Sequence, residues 1–193
     1  MSNIITITTQ AEFDALPKSF DEYTYIQIKS DPTLTIFVSE DRGSSHVEAR
    51  DSSHVAARGS SYVVARDSSH VVAWDSSHVE ARGSSHVEAW GSSHVEATGS
   101  SHVVARGSSH VEARDSAGVY LQSVYASVVL YAFAACWALS KGKITKKSKT
   151  ATVITPTKPK TVDEWIDVEG VNSDESVDDL VVYKRVSSDF KTQ

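Results

Sequence analysis

The sequence predicts an all-β fold, a two-sheet β-solenoid, on three observations. Residues 43–122 are ten back-to-back octapeptides, each alternates polar and apolar residues, and each opens with turn-forming residues. From Gly43 the chain runs GSSHVEAR, DSSHVAAR, GSSYVVAR, DSSHVVAW, DSSHVEAR, GSSHVEAW, GSSHVEAT, GSSHVVAR, GSSHVEAR, DSAGVYLQ. A fixed short period of this kind is the signature of a stacked repeat architecture.

The fifth position is valine in every unit, from Val47 to Val119, and the seventh is alanine except at Leu121. H-V-x-A-R therefore has the period of two expected of a strand buried on one side. Gly or Asp followed by two serines supplies the corner, because glycine accepts positive φ and Asp and Ser bond their own backbone. A helix is excluded: an eight-residue period would scatter the valines around its surface and put glycines inside it. One short strand and one corner make the unit. A single unit cannot bury its Val and Ala, so units must stack.

Two units per coil, 16 residues, sort the sequence more cleanly than three. Position six reads Glu48, Val64, Glu80, Glu96, Glu112 in odd units and Ala56, Val72, Glu88, Val104, Tyr120 in even ones. Tryptophan at position eight occurs only in even units, at Trp74 and Trp90. The expected core is thin, made of valine and alanine, with Val47, Val63 and Val79 in one column and Val55, Val71 and Val87 in the other.

The stack extends beyond the clear repeats. Upstream, Leu34, Ile36 and Val38 alternate as a strand, and a longer corner would bring Val38 into the valine column. Downstream, after one inserted residue, Val128, Cys136 and Ile144 continue the fifth position, and Leu130 and Ala138 the seventh. This register bears on residues 116–140, which carry no charge and would pass a hydropathy test for a membrane span. The resumed octads, the serines and the β-branched residues favour strands, with Cys136 in the core. At the start, Thr9 and Glu12 can form a capping box for a short helix through Leu16, followed by a strand at 23–29. At the end, five lysines between Lys141 and Lys149 suit an open sheet edge, which charge protects from growth; a phosphate-binding patch is the alternative. Residues 155–160 read as a linker, Thr161 caps a short acidic helix stopped by Gly170, and DLVVYKRV reads as a strand. The organisation is thus a cap with first strands (1–42), the solenoid (43–154) and an appendage (155–193).

Function is far less legible. A net charge of −6 makes non-specific nucleic-acid binding a poor fit, and one cysteine permits no internal disulfide. The first 20 residues lack a basic segment followed by an apolar one, so no classical secretion signal is expected. All eight histidines hold position four and should form two rows about 4.8 Å apart. A row does not converge on a metal ion as a tetrahedral site must, so no metal site and no cofactor are expected. Ser, His and Asp recur together, but identically in every coil and without a pocket, which argues against a hydrolase. No phosphate loop opens a helix, and the unit lacks the paired glycines of calcium-binding β-rolls. On the odd face the Glu column should stand beside Arg50, Arg66, Arg82 and Arg114 as a mixed-charge network.

The even face is more apolar. Val72, Trp74, Trp90, Val104 and Tyr120, joined by Val129, Tyr131, Trp137 and Leu139, form the candidate interaction face, for a protein partner or a second copy. The GSSHVEAR and DSSHVVAW units, with the flanks IKSDPTLTIFVSEDRGSSHVEA, KITKKSKTATVITPTKPKTVDEWIDVEGV and VVYKRVSSDFKTQ, resemble octapeptide-repeat proteins encoded by bacteriophages, prophages and bacteria. The resemblance covers most of the chain and implies no catalytic or binding residue. It implies a phage setting, either host cytoplasm or virion, and a further domain opening at a segment like YKRVSSDFKTQ. The expectation is a non-enzymatic structural or interaction scaffold. The alternatives are the scaffold part of a larger enzyme or effector, and an ice- or surface-binding solenoid, for which the regular threonine array is missing.

Overall fold

The computed structural model describes residues 3–39 and 43–156. Its elements are β1 (Asn3–Ile7), α1 (Gln10–Asp14), β2 (Phe20–Ile28), β3 (Thr35–Val38) and β4 (Gly43–Ala49). Nine four-residue strands follow: β5 (His54–Ala57), β6 (Tyr62–Ala65), β7 (His70–Ala73), β8 (His78–Ala81), β9 (His86–Ala89), β10 (His94–Ala97), β11 (His102–Ala105), β12 (His110–Ala113) and β13 (Gly118–Leu121). β14 (Ser127–Leu130), β15 (Ala135–Ala138), β16 (Lys143–Lys146) and β17 (Thr152–Ile154) complete the stack.

Successive strands alternate between two parallel sheets. The first, of nine strands, runs β1-β2-β4-β6-β8-β10-β12-β14-β16; the second, of eight, runs β3-β5-β7-β9-β11-β13-β15-β17. The register is 16 residues per coil, with Val47 beside Val63, Val63 beside Val79, Val55 beside Val71 and Val71 beside Val87. The fold is a two-sheet β-solenoid. Positions three, five and seven point inward as a Ser-Val-Ala core, almost all of it without solvent exposure. Positions four, six and eight face out.

The corners explain why Gly and Asp alternate at position one. Asp51, Asp67, Asp75 and Asp115 hold φ of 57°, 57°, 59° and 54°, and the glycines at this position are equally left-handed. Aspartate visits this region more readily than most residues. Its carboxylate also ties neighbouring coils together, since Asp75 and Asp115 accept from the Gly59 and Gly99 amides of the preceding coil, at 3.2 and 3.1 Å. Position-two amides donate to position-one carbonyls one coil back, as Ser68 does to Asp51 at 3.0 Å. The backbone ladder thus runs through corners as well as strands.

The ends differ from the middle. α1 has the expected Thr9–Glu12 capping box and buries Phe13. Gln10 reaches β3, where its side-chain amide accepts from the Phe37 amide at 2.7 Å and donates to the Phe37 carbonyl at 3.3 Å. The edge strand is bonded by a side chain there, which removes a growth template. At the other end Lys146 stands beside Leu130 in the inward seventh column. A further strand added on this edge would have to enclose an ammonium group.

Several sequence expectations change. Val38 does not enter the valine column: Ile36 pairs with Val55, and Val38 with Ala57. The corner after β3 simply contains one more residue, and Leu34 stays outside the strand, exposed. The strand expected at 23–29 starts earlier, at Phe20, and β1, unforeseen, adds a strand beside it. Downstream the octad register holds through Val128, Cys136 and Ile144. The uncharged stretch 116–140 forms β13, β14 and β15, and no helix among the described residues is long and apolar enough to cross a membrane. The expected acidic helix and terminal strand, and most of the linker, lie outside the described residues.

Candidate functional site

Outward columns of the second sheet carry the candidate interaction face. Position eight reads Arg58, Trp74, Trp90, Arg106 along the stack, each backbone amide donating to the coil before. The two indoles stack at 5.2 Å with planes 11° apart. Arg106 lies over the Trp90 ring at 4.5 Å and bonds Glu88 at 3.3 Å, while Arg58 turns to the Phe37 ring at 5.1 Å. Both arginines are thus engaged within the chain, and Trp74 remains exposed. Val72 and Val104 occupy position six of the same sheet, two coils apart with Glu88 between them.

Tyr120 and Trp137 are on this sheet too, stacked on each other at 5.0 Å. Tyr120 leans into the space left by the missing side chain of Gly118 and meets His102 at 4.7 Å. Tyr131 is not on this face. It follows β14, a strand of the first sheet, with the Arg114 guanidinium 4.5 Å from its ring. Val129 belongs to that sheet as well. The inserted residue before β14 lengthens a corner but leaves the alternation of sheets intact, so the unit after β13 returns to the first sheet.

The face opposite is charged. Glu48 is enclosed between Arg50 at 2.7 Å and Arg66 at 2.9 Å. Burial would raise its pKa, but the two guanidiniums hold the carboxyl below its ordinary value. Glu80 bonds Arg82 and the Tyr62 hydroxyl, and Glu112 bonds Arg114 at 3.0 Å.

A ring stands at nearly every step of both position-four rows. On the second sheet His54, His70, His86, His102, Tyr120 and Trp137 follow one another at 4.7–5.1 Å. On the first, Tyr25, His46, Tyr62, His78, His94 and His110 do so at 4.8–5.5 Å. Tyr62 in GSSYVVAR is the visible sign that any flat ring fits this column; the lean of Tyr120 has no such sign. Stacking covers ring faces and leaves edges to solvent. Burial depresses the pKa of His46, His70, His86, His94 and His102, with neighbouring imidazoles adding to it for the last four. At two places a glutamate joins a histidine pair with all ligand atoms within 4.8 Å: His70, His86, Glu88 and His78, His94, Glu96.

No family model, curated protein or solved structure matches this chain.

Its chemistry must therefore be read from its own geometry. The serine beside each histidine, at position three, points into the core while the histidine points out. Ser53, Ser61, Ser69, Ser77, Ser85, Ser93, Ser101 and Ser109 are all enclosed, and their hydroxyls have no partner among the described residues. An adjacent Ser-His pair on opposite sides of one strand cannot pass a proton between them. Cys136 is also enclosed, its thiol pushed up to about 11 by burial, far from the thiolate a nucleophile requires.

Proposed function

We propose that the chain is a non-enzymatic scaffold that pairs with a second copy of itself through the second sheet. The observation that carries this reading is the stacked, exposed Trp74–Trp90 pair. Its column reads Arg58, Trp74, Trp90, Arg106, the same in both directions, so an antiparallel mate meets indoles with indoles. Isologous two-fold contacts use one patch on both subunits in this way. Eight strands about 4.8 Å apart, with four residues at about 3.3 Å each, give a face of about 500 Å². Covering it on both copies buries about 1,000 Å², the low end for specific interfaces, so a dimer of micromolar affinity is expected.

The resemblance of the repeats and flanks to phage and prophage proteins adds a setting, host cytoplasm or virion. The test is sedimentation equilibrium of the wild type and of Trp74→Glu/Trp90→Glu. The reading expects a wild-type dimer and a monomeric variant with unchanged β circular dichroism. A wild type still monomeric at high micromolar concentration refutes it.

A further inference from the structure

The octapeptide pairs each glutamate with a cation, and one glutamate is left out. Glu48 has Arg50 and Arg66, Glu80 has Arg82, Glu88 has Arg106, and Glu112 has Arg114. Glu96 stands in the unit GSSHVEAT, where position eight is Thr98. The Thr98 hydroxyl donates to the Ala81 carbonyl at 3.2 Å and leaves the carboxylate alone. Arg82 and Arg114, one coil away on either side, are each held by the glutamate of their own strand.

What Glu96 does face is a pair of imidazoles. Its Oε1 is 3.9 Å from His78 Nε2 and 4.0 Å from His94 Nε2, and the two rings stack at 4.8 Å, 17° from parallel. We infer that His78, His94 and Glu96 form a binding site for a divalent transition-metal ion of the zinc type, with solvent in the remaining position. Two imidazoles and one carboxylate are a donor set that suits zinc. Ligands at about 2.0–2.1 Å in a tetrahedron stand about 3.3 Å apart, so each nitrogen–oxygen gap must close by about 0.6 Å. Partly exposed side chains reach this by small rotations. His94 is depressed in pKa by burial and by His78 and His110, against the pull of Glu96 and Glu112. It therefore meets a metal as the neutral ligand at neutral pH.

The other triad supplies an internal comparison. In His70, His86 and Glu88 the carboxylate is already claimed by Arg106 at 3.3 Å and the Trp90 indole nitrogen at 3.4 Å. A third set with the same spacing, His94, His110 and Glu112, has its carboxylate on Arg114 and its His110 Nδ1 on the Ser127 hydroxyl at 2.6 Å. The vacancy at position eight therefore singles out one coil. The site lies on the first sheet, opposite the tryptophan pair, so its test is independent of dimerisation.

The experiment is calorimetric titration of the EDTA-treated full chain with Zn²⁺, paired with the visible spectrum of the Co²⁺ form. Variants are Glu96→Gln, Thr98→Arg and Glu88→Gln, with folding checked by circular dichroism. One saturable Zn²⁺ per chain is expected. Affinity should fall about tenfold or more in Glu96→Gln. Thr98→Arg should lose it too, by restoring the ion pair that the other coils have, and Glu88→Gln should bind as wild type. The proposal is overturned if wild type shows no saturable binding at millimolar Zn²⁺. It is equally overturned if Thr98→Arg and Glu96→Gln bind unchanged, or if Glu88→Gln alone abolishes binding.

Discussion

Ser101 offers a substitution whose sign runs against intuition. Its hydroxyl is enclosed in the core and has no partner among the described residues. The serine one coil back, Ser85, is about 4.8 Å away along the stack, beyond hydrogen-bond reach. An enclosed hydroxyl without a partner costs about 1–3 kcal/mol. Replacing it with alanine removes that cost and loses only the contacts of one oxygen, each about 0.1–0.2 kcal/mol. The column already contains the substitution, since Ala117, Ala134 and Ala151 succeed Ser101 in the following coils and are as well buried. Ser101→Ala should thus stabilise by about 1 kcal/mol, or about 2–4 °C in Tm for a chain of this size. Ser100→Ala, one residue away on the exposed corner, should stay within about 0.5 kcal/mol. Differential scanning calorimetry of both variants decides the matter. A lower Tm for Ser101→Ala would refute the reasoning and mean that the hydroxyl is bonded in solution, for example to water enclosed between coils.

Three further outcomes follow from the geometry. Ala132 holds the corner position at φ 47° without the help that Gly or Asp gives its counterparts; Ala132→Gly should stabilise by about 1 kcal/mol, read from urea midpoints. Cys136, with a thiol pushed up to about 11, should react with thiol reagents only at the rate of unfolding, and rapid labelling of the native chain would contradict its place in the core. The histidine rows make stability pH-dependent: His70, His86 and His102 are held below 6.5 by burial and by neighbouring imidazoles, with Glu88 opposing the effect at the first two. A depressed folded pKa means the unfolded chain binds protons first, so this contribution is intact above about pH 6.5 and is lost as pH falls through the folded values. In EDTA, a variant with Gln at these three positions should lose less Tm than wild type between pH 8 and pH 5; equal losses would assign the slope to other groups.

The architecture is legible because the period of eight and the difference between odd and even units are both physical. Side chains in one column touch, so Trp74 and Trp90, or the Val column, must keep their chemistry at 16-residue steps. What eludes the sequence is whatever depends on a corner. Val38 lies outside the column its alternation suggests, and Tyr131 on the other sheet, because corner lengths there depart from the repeat. The second serine of each unit reads as turn chemistry, yet it is the first inward residue of the strand; the clue lies in the alanines that replace it at Ala117, Ala126 and Ala134. At the candidate sites, the Trp pair is readable from parity. The isolation of Glu96 is not, because it arises from an absence one strand-length away, at Thr98, and matters only once Arg82 and Arg114 are known to be taken.

The alternation of sheets also constrains how such a gene can change length. Repetitive DNA gains and loses units by slippage, and here the repeat in the sequence is one octapeptide while the repeat in space is two. Losing a single unit between Trp90 and Tyr120 would move every later strand to the opposite sheet, carrying Tyr120 and Trp137 away from the tryptophan face and setting lysine-bearing β16 on the other side. Losing two adjacent units would shorten the stack by one coil and leave both faces composed as before. Heritable length variation compatible with these surfaces should therefore come in pairs, so that parity, rather than the number of repeats, is the quantity under selection.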